Sequence, residues 1–489
     1  MSKIITRSPK RSCLLDPIPA TILVDILPTV LPAITKIINI SLETGTVPGV
    51  SNLSFISKIL EKIVSSRLLD HIELNNLGEP LQSAYKRHHS TETALLKIQS
   101  DLLLAMDDHK ASLVVFLDLS AAFDTIDHAI LLDRMHNDYG LCGTALEWLT
   151  SYLTDRYQSV HIKENSSEYT KLKYGVPQGS VLGPLLFSYY TKPIRAIAAK
   201  YNLKIHLYAD DTQLYVSFRF ANYAEAIAAL TRVEACITDI QIWMRNNKLQ
   251  LNADKTEYII VASPNVLPRV ALRPININGI KIEPAASAKN LGVIFDKHLN
   301  MREHVNQICR KSQFLLRKIG DIRNCLTDIT TEQLIHAYVT SQLDCCNSLL
   351  YGLPDTCIFK LQRILNCAAR VICRKKKFDH VTPLLIKLHW LPVRQRIYYK
   401  LLLLCFKAQH GLAPSYLKDA IVPYKPGRSL REKHMLVVPP TQLKTCGDRS
   451  FNKAAPLLWN RLPLNLRRCD KLDMFKRLLK THLFTIAYI

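Results

Sequence analysis

The sequence lacks any hydrophobic run long enough to cross a bilayer. Its longest purely aliphatic stretches, such as residues 401–404, fall far short of the ~20 residues that a membrane helix needs. Basic residues open the chain without an apolar segment behind them, so no secretion signal is expected. The 13 cysteines show no paired spacing, which favours reduced thiols over a disulfide framework. We therefore expect an intracellular protein of the nucleus or cytoplasm that does not enter a membrane.

Internal repeats and low-complexity tracts are also absent, and the overall composition is that of a globular protein. The charge, however, is unevenly distributed. Residues 1–300 carry 31 basic and 29 acidic side chains, whereas residues 301–489 carry 33 and 12. A basic surface attracts polyanions, and nucleic acid is the commonest of these in cells. The second part of the chain is therefore predicted to bind nucleic acid. A merely solubilising basic surface is the alternative.

Hydrophobic periodicity predicts an α+β fold. Helical spacing covers most of the first 108 residues, and residues 182–200 are predicted to form one helix. A β-branched apolar run at 113–117 predicts a buried strand that leads into Asp118. Two strand-like runs flank residues 209–212 and predict a hairpin. Further short strands are expected up to residue 295, and from 298 onward the pattern is helical almost throughout.

Three acids occupy positions where a carboxylate is costly. Asp118 ends a buried strand, while Asp210 and Asp211 adjoin one another at a hairpin. Such charges destabilise a fold unless a cation offsets them, and a divalent metal is the usual solution. Two metal ions held by carboxylates can activate an attacking hydroxyl and stabilise a leaving phosphate oxygen. A turn-forming role for the aspartate pair is the alternative. Four other acids are expected to be solvated or helix-capping: Asp107, Asp108, Asp124 and Asp127.

Three segments around these acids resemble, in order, motifs of reverse transcriptases. FLDLSAAFD (116–124) is similar to the first palm motif, VPQGSVLGP (176–184) to the P-Q-G-S segment, and YADD (208–211) to the Y-x-D-D box. LNADKTE (251–257) and NLGV (290–293) resemble the two motifs that follow. Three segments near the end also resemble jockey-type non-LTR retrotransposon proteins, namely 343–354, 388–400 and 455–463. The resemblance covers essentially the whole chain.

The resemblance implies a right-hand polymerase. Partial fingers with N-terminal helices would occupy residues 1–110, the palm 111–297, a helical thumb 298–390 and a basic helical extension 391–489. The implied activity is that of an RNA-directed DNA polymerase, which adds deoxynucleotides to the 3′-hydroxyl of a DNA primer on an RNA template. Its partners would be the RNA template, the DNA primer or target, and the deoxynucleotides.

The same resemblance assigns roles to individual residues. Asp118, Asp210 and Asp211 would be the catalytic acids and would hold two Mg²⁺ ions, with Mn²⁺ as an alternative. The substrate-binding residues would be Phe123, Gln178, Gly179, Lys255 and Lys86. Of these, Phe123 would exclude a 2′-hydroxyl, and Lys255 would be a candidate proton donor to the leaving pyrophosphate. Leu291 and Gly292 would belong to the primer grip. Without the motifs, Phe123 is equally well a core aromatic residue and Lys255 a surface charge.

Two departures from the family pattern affect the fingers. Residues 46–49 lead directly into Val50, so a basic fingers segment of related proteins is missing. The second fingers motif, at 82–91, keeps Lys86 and Arg87 but has lost two glycines. We therefore expect a fragment of a mobile-element protein without endonuclease or RNase H modules. Two alternatives to an active polymerase stay open: a relic that binds nucleic acid without polymerising, and a host protein that uses this fold as a scaffold.

Overall fold

A computed structural model describes residues 4–5, 20–47, 54–120, 123–162, 165–177, 179–270, 272–277, 279–425 and 434–489. Gln178 lies outside the described residues. So do residues 48–53, which include most of the junction where a fingers segment is predicted to be missing.

A four-stranded antiparallel sheet forms the centre of the fold. Its strands are β1 (Lys110–Ser120), β6 (Lys204–Tyr208), β7 (Asp211–Arg219) and β8 (Gln250–Val261), in the spatial order β6-β7-β1-β8. The apolar run predicted as a buried strand is therefore the middle of β1, which pairs on both sides. Since β7 pairs with both β6 and β1, the strand of Asp118 and the turn of Asp210 and Asp211 belong to one sheet.

Side chains of this sheet alternate between two hydrophobic cores. On β1, Leu113 and Val115 face one core, whereas Val114 between them faces the other. Tyr215 on β7 and Ile259 on β8 lie on the same side as Val114. Fully burying one such side chain contributes roughly 1.5–3 kcal/mol. The sheet is therefore a central layer that is apolar on both faces, which explains its near-continuous hydrophobic strands.

Nine helices of the described residues precede residue 250. They are α1 (Ala20–Asp25), α2 (Leu27–Thr44), α3 (Ser54–Leu74), α4 (Thr91–Asp107), α5 (His128–Asn137), α6 (Gly143–Leu153), α7 (Gly183–Tyr190), α8 (Ile194–Lys200) and α9 (Tyr223–Asn246). The single helix predicted over 182–200 is wrong, because α7 ends before Pro193, which has no N–H to continue the ladder. Helix α4 begins at a capping box, in which the Ser90 side chain accepts the N–H of Thr93.

Four small two-stranded antiparallel sheets complete the first part of the chain. Their strands are β2 (Arg156–Gln158) with β5 (Thr170–Leu172), β3 (His161–Ile162) with β4 (Asn165–Ser166), β9 (Ile275–Ile277) with β10 (Ile280–Ile282), and β11 (Ser287–Asn290) with β12 (Val293–Asp296). The last pair is a hairpin that lies where the sequence predicts short strands. Leu291 and Gly292 form its turn, both with positive φ.

The chain after residue 298 is helical, as predicted. The helices are α10 (Arg302–Asp321), α11 (Asp328–Ile335), α12 (Ser341–Asp344), α13 (Asp355–Ile372), α14 (Thr382–Lys387), α15 (Val393–Gln409), α16 (Ser415–Lys418), α17 (Phe451–Asn460), α18 (Leu464–Arg467) and α19 (Leu472–Tyr488). They build the core that faces Val114, together with α4. Across the described ranges, no helix combines the length and apolarity needed to span a membrane.

Helix α4 is joined to the end of the chain by a buried carboxylate. Asp107 is 5% exposed and accepts hydrogen bonds from the backbone N–H groups of Gln442, at 3.0 Å, and Leu443, at 2.6 Å. The expectation that Asp107 is solvated or helix-capping is therefore wrong, because the fold buries its carboxylate against this segment. Sequence reasoning missed the contact because the partners lie more than 330 residues away. Asp127 does cap a helix, since it accepts the N–H groups of Ala129 and Ile130 at the start of α5.

Replacing Asp107 is expected to destabilise the fold. The Asp107→Ala variant leaves the N–H groups of Gln442 and Leu443 without their acceptor, which should lower the free energy of unfolding by about 1–3 kcal/mol. Urea titration followed by circular dichroism measures this. Asp108→Ala is the matched control, because Asp108 is exposed and makes only a surface ion pair with Lys110; its loss should cost about 0.5 kcal/mol or less. Equal effects of the two variants would contradict the assignment.

Candidate active site

Asp118 projects from a bulge between β1 and β8. Phe116 pairs with Glu257, but Asp118 pairs with Asn252, so residues 253–256 of β8 bulge outward. Asn252 stabilises the bulge through two hydrogen bonds. Its side-chain oxygen accepts the N–H of Lys255 at 3.3 Å, and its backbone carbonyl accepts the hydroxyl of Thr256 at 2.9 Å. The bulge thereby brings Lys255 Nζ to 3.6 Å from Asp118 Oδ2. Within the described part of the chain, that buried oxygen has no hydrogen-bond donor.

Asp210 and Asp211 lie at the tight turn between β6 and β7. Tyr208 pairs with Asp211, so the turn consists of Ala209 and Asp210 alone. Asp211 is thus the first residue of β7 rather than part of a longer loop. Ala209 has φ 56°, a left-handed conformation that an L-residue adopts at some cost and that tight hairpin turns require.

The three carboxylates lie within one electrostatic field. Burial, together with the charges of Asp210 and Asp118, raises the pKa of Asp211 to about 6. The structure therefore brings together the three acids that the sequence singled out. Carboxylate oxygens are the ligands that a hard divalent cation prefers, and one of them, Asp118 Oδ2, accepts no hydrogen bond from the described residues. As the side chains stand, however, no three His, Cys, Asp or Glu residues of the described ranges are grouped closely enough to hold a metal ion.

Gln82 supports the turn and was missed by sequence reasoning. Its side chain is 1% exposed, and its Oε1 accepts the N–H groups of Ala209 at 3.1 Å and Ala84 at 3.0 Å. Its Nε2 donates to the carbonyl of Ala209 at 3.4 Å. Gln82 lies in the fingers motif, but no local pattern indicates that it reaches a turn 127 residues away.

The cations of the fingers loop are engaged by nearby acids and a carbonyl. Lys86 donates to the carbonyl of Glu79, and burial lowers the pKa of its ammonium to about 8 despite the charges of Glu79 and Glu73. Arg87 forms ion pairs with Asp70, at 2.8 Å, and Glu73. Tyr85 of the same loop lies within the electrostatic reach of Asp210. Burial raises the pKa of its phenol, and the charge of Asp210 adds to this effect.

The remaining predicted residues lie in connected turns and loops. Phe123 packs against Phe187, with ring centroids 4.9 Å apart, and its carbonyl accepts the N–H of Val176 at 2.9 Å. This bond joins the first palm motif to the loop that ends in Gly179. Gly179 has φ 79°, and a Cβ there would meet no atom within 4 Å, so glycine is favoured by its backbone conformation alone.

The turn of Leu291 and Gly292 is tied to the strand of the aspartates. Asn290, which precedes the turn, accepts a hydrogen bond from Gln213 Nε2 at 3.1 Å. Gln213 lies on β7, two residues after Asp211, and both amides are buried. The predicted primer-grip turn and the aspartate turn are therefore connected through one buried amide pair.

These features define a class of protein, and comparison with known sequences defines the family. The α+β fold, with its antiparallel sheet and helical C-terminal region, is that of a right-hand polymerase. A family profile described as reverse transcriptase (RNA-dependent DNA polymerase) matches residues 43–295. The chain belongs to the reverse transcriptase family.

Curated relatives are proteins of Drosophila mobile elements. The probable RNA-directed DNA polymerase from transposon BS of Drosophila melanogaster is 28% identical over 295 residues, which cover 59% of this chain and 32% of that protein. The RNA-directed DNA polymerase from mobile element jockey of the same species is 27% identical over 266 residues, covering 53% and 28%. The predicted likeness to jockey-type elements is confirmed. The chain spans about a third of the length of these relatives.

Among solved structures, the chain aligns with telomerases at low TM-scores. A structure of telomerase from Candida albicans with a TWJ fragment of telomeric RNA aligns with a TM-score of 0.33 and 14% identity, covering 75% of this chain and 58% of that one. A structure of apo telomerase from Candida tropicalis aligns with a TM-score of 0.35 and 13% identity, covering 67% and 60%.

The raised pKa of Asp211 predicts a pH-dependent effect on stability. Because the folded chain holds this proton more tightly than the unfolded chain, folding loses stability as the pH rises through about 6. Asp211→Asn removes that loss. With a chelator present to remove divalent cations, the Asp211→Asn variant should therefore unfold at a higher temperature than the parent at pH ~7.5. At pH ~4 the two unfolding temperatures should show no such difference.

Thermal unfolding at the two pH values measures the difference. Asp239→Asn is the contrasting variant, since hydrogen bonds from Lys200 and Tyr201 lower the pKa of Asp239; it should lower the unfolding temperature at pH ~7.5. A stability gain for Asp211→Asn that is the same at both pH values would contradict the prediction.

Proposed function

We propose that this chain is the polymerase domain of a non-LTR retrotransposon reverse transcriptase, which copies RNA by adding deoxynucleotides to the 3′-hydroxyl of a DNA primer. The observation that carries the proposal is the position of Asp118, Asp210 and Asp211 at neighbouring ends of β1 and β7, where the charges of Asp210 and Asp118 act on Asp211. Membership of the reverse transcriptase family supports it. The chain would act inside the cell, in the nucleus or cytoplasm.

The three acids would hold two divalent ions, Mg²⁺ or Mn²⁺. When bound, such ions activate the attacking hydroxyl and stabilise the leaving phosphate oxygen. The chain's own residues prepare this binding, because the burial and the neighbouring charges that raise the pKa of Asp211 disfavour its carboxylate, and a cation offsets both. Lys255, held 3.6 Å from Asp118 by the bulge, would supply a proton to the departing pyrophosphate.

The substrates would lie along the loops that surround the acids. Phe123 would contact the sugar of the deoxynucleotide, with Gln178 and Gly179 beside the nucleotide and template. The Leu291–Gly292 turn would hold the primer terminus. Lys86 would bind the triphosphate only after leaving Glu79, so Tyr85 is the nearer candidate for contact with the nucleotide.

In the terms of the polymerase hand, we propose fingers in residues 1–110, a palm in 111–297, a thumb in 298–390 and a C-terminal extension in 391–489. The basic thumb and extension would bind the RNA–DNA duplex through its phosphates, with an affinity that falls steeply as salt rises.

A nucleic-acid-binding relic without polymerase activity is the competing function. The observation that favours it is the engagement of Lys86 and Arg87, which would otherwise be free to bind a triphosphate. Both candidates predict salt-sensitive binding of a primed RNA template, and only polymerase activity predicts its extension.

Primer extension on an RNA template tests the proposed function. Purified protein with deoxynucleotides and Mg²⁺ should extend the primer, and Asp210→Asn/Asp211→Asn should reduce the rate about a thousandfold or more, because the developing charge loses its stabilisation. Asp239→Asn, a surface change, should extend at the parental rate. Incorporation that survives the double substitution would point to a contaminating polymerase. A parent that binds the template tightly yet never extends it would establish the relic.

Phe123 should control the choice of sugar. Phe123→Ala removes the ring that would exclude a 2′-hydroxyl, so kcat/KM for ribonucleotides relative to deoxynucleotides should rise about tenfold or more. Single-nucleotide incorporation with matched nucleotides measures this ratio. Phe123→Tyr keeps the ring and should keep the parental preference. An unchanged preference in Phe123→Ala would assign Phe123 to the core alone.

A further inference from the structure

A chain of buried hydrogen bonds connects the C-terminal helices to the strand that carries the aspartate turn. Tyr416 of α16 is 6% exposed, and its hydroxyl lies 2.9 Å from Ser83 Oγ and 3.1 Å from Thr93 Oγ1. Ser83 Oγ lies in turn 2.9 Å from Nε2 of His206, which is fully buried in β6. Residues more than 300 positions apart therefore meet at one place.

The hydrogen bonds of this chain have one consistent direction. The hydroxyl of Thr93 donates to the carbonyl of Ser90, and that of Tyr416 donates to Thr93. Ser83 must then donate to Tyr416, and its own oxygen accepts the Nε2–H of His206. Burial lowers the pKa of His206 to about 3, so the ring stays neutral and carries a single N–H. Its ring also meets that of Tyr416 edge-on, with centroids 5.3 Å apart.

Ser83 and His206 both adjoin the aspartate turn. The N–H of Ser83 donates to the carbonyl of Leu207 at 2.9 Å, and the N–H of Leu207 donates to the carbonyl of Leu81 at the same distance. The segment 81–83 thus runs beside β6 as a short parallel strand, from which Gln82 holds Ala209. Tyr416 therefore contacts the two elements that keep Ala209 in its left-handed conformation.

We propose that Tyr416 is a positioning residue: through Ser83 and His206 it fixes segment 81–83 and β6, so that the turn presents Asp210 and Asp211 to Asp118. The C-terminal extension is then part of the support of the active site, in addition to any contact with nucleic acid. The catalytic meaning of this inference rests on the proposed function, whereas the mechanical coupling does not.

Hydrogen–deuterium exchange tests the coupling without reference to activity. Tyr416→Phe removes one hydroxyl and keeps the ring, so amides of residues 203–216 should exchange several-fold faster while the fold is retained. Tyr488→Phe is the matched control. It removes another C-terminal hydroxyl, which donates to the carbonyl of Trp390 at 2.8 Å, and should leave residues 203–216 unchanged. Unchanged exchange in Tyr416→Phe would overturn the proposal, whatever the activity.

Kinetics then test the consequence for catalysis. Tyr416→Phe should lower kcat about tenfold and raise the Mg²⁺ concentration for half-maximal rate, with the affinity for primed template unchanged. Ser83→Ala should act in the same direction, and the double variant should be little worse than either, because both break one link. Fully additive losses, or a weakened template affinity alone, would refute positioning. If Tyr416→Phe exchanges faster but the parent protein never extends a primer, the coupling is upheld and the polymerase function is rejected.

Discussion

The burial and mutual repulsion of three carboxylates form the constraint on which the candidate site depends. Asp118 lies opposite a bulge in β8, and Asp210 and Asp211 lie at a two-residue turn. Both positions involve an irregular backbone, and burial together with the charges of Asp210 and Asp118 raises the pKa of Asp211 to about 6. Such an arrangement destabilises the metal-free fold, and groups perturbed in this way are typical of functional sites. The surrounding structure therefore has to hold the acids against their own charge.

That support comes from several directions. Asn252 stabilises the bulge beside Asp118, and Gln82 fixes the turn beside Asp210. Gln213 and Asn290 join the strand of Asp211 to the neighbouring hairpin turn. Because neutral amides make most of these bonds, the supports add no charge to a site that already has too much of one sign. The sheet beneath is apolar on both faces, so it provides a rigid base.

Local patterns were sufficient to predict most of the elements and to single out the three acids that the fold brings to neighbouring strand ends. The strand before Asp118, the hairpin of Asp210 and Asp211, and the helical second part all follow from periodicity within a few residues. What sequence reasoning missed concerns long-range partners. The burial of Asp107 depends on a segment that includes Leu443, and the role of Gln82 depends on a turn 127 residues away. No periodicity encodes contacts of that kind, since they form only when the elements pack.

The apolar face around Val114 has a consequence for the order of folding during synthesis. That face is completed by helices that follow residue 298, so the sheet can form on the ribosome while it is covered on that side by α4 and the β11–β12 hairpin but not yet by those helices. Until the last helices emerge, Tyr215 and Ile259 face an unfinished core. A nascent chain at this stage exposes a hydrophobic surface of the kind that chaperones bind. Translation that stalls within the second part of the chain would therefore leave an aggregation-prone intermediate.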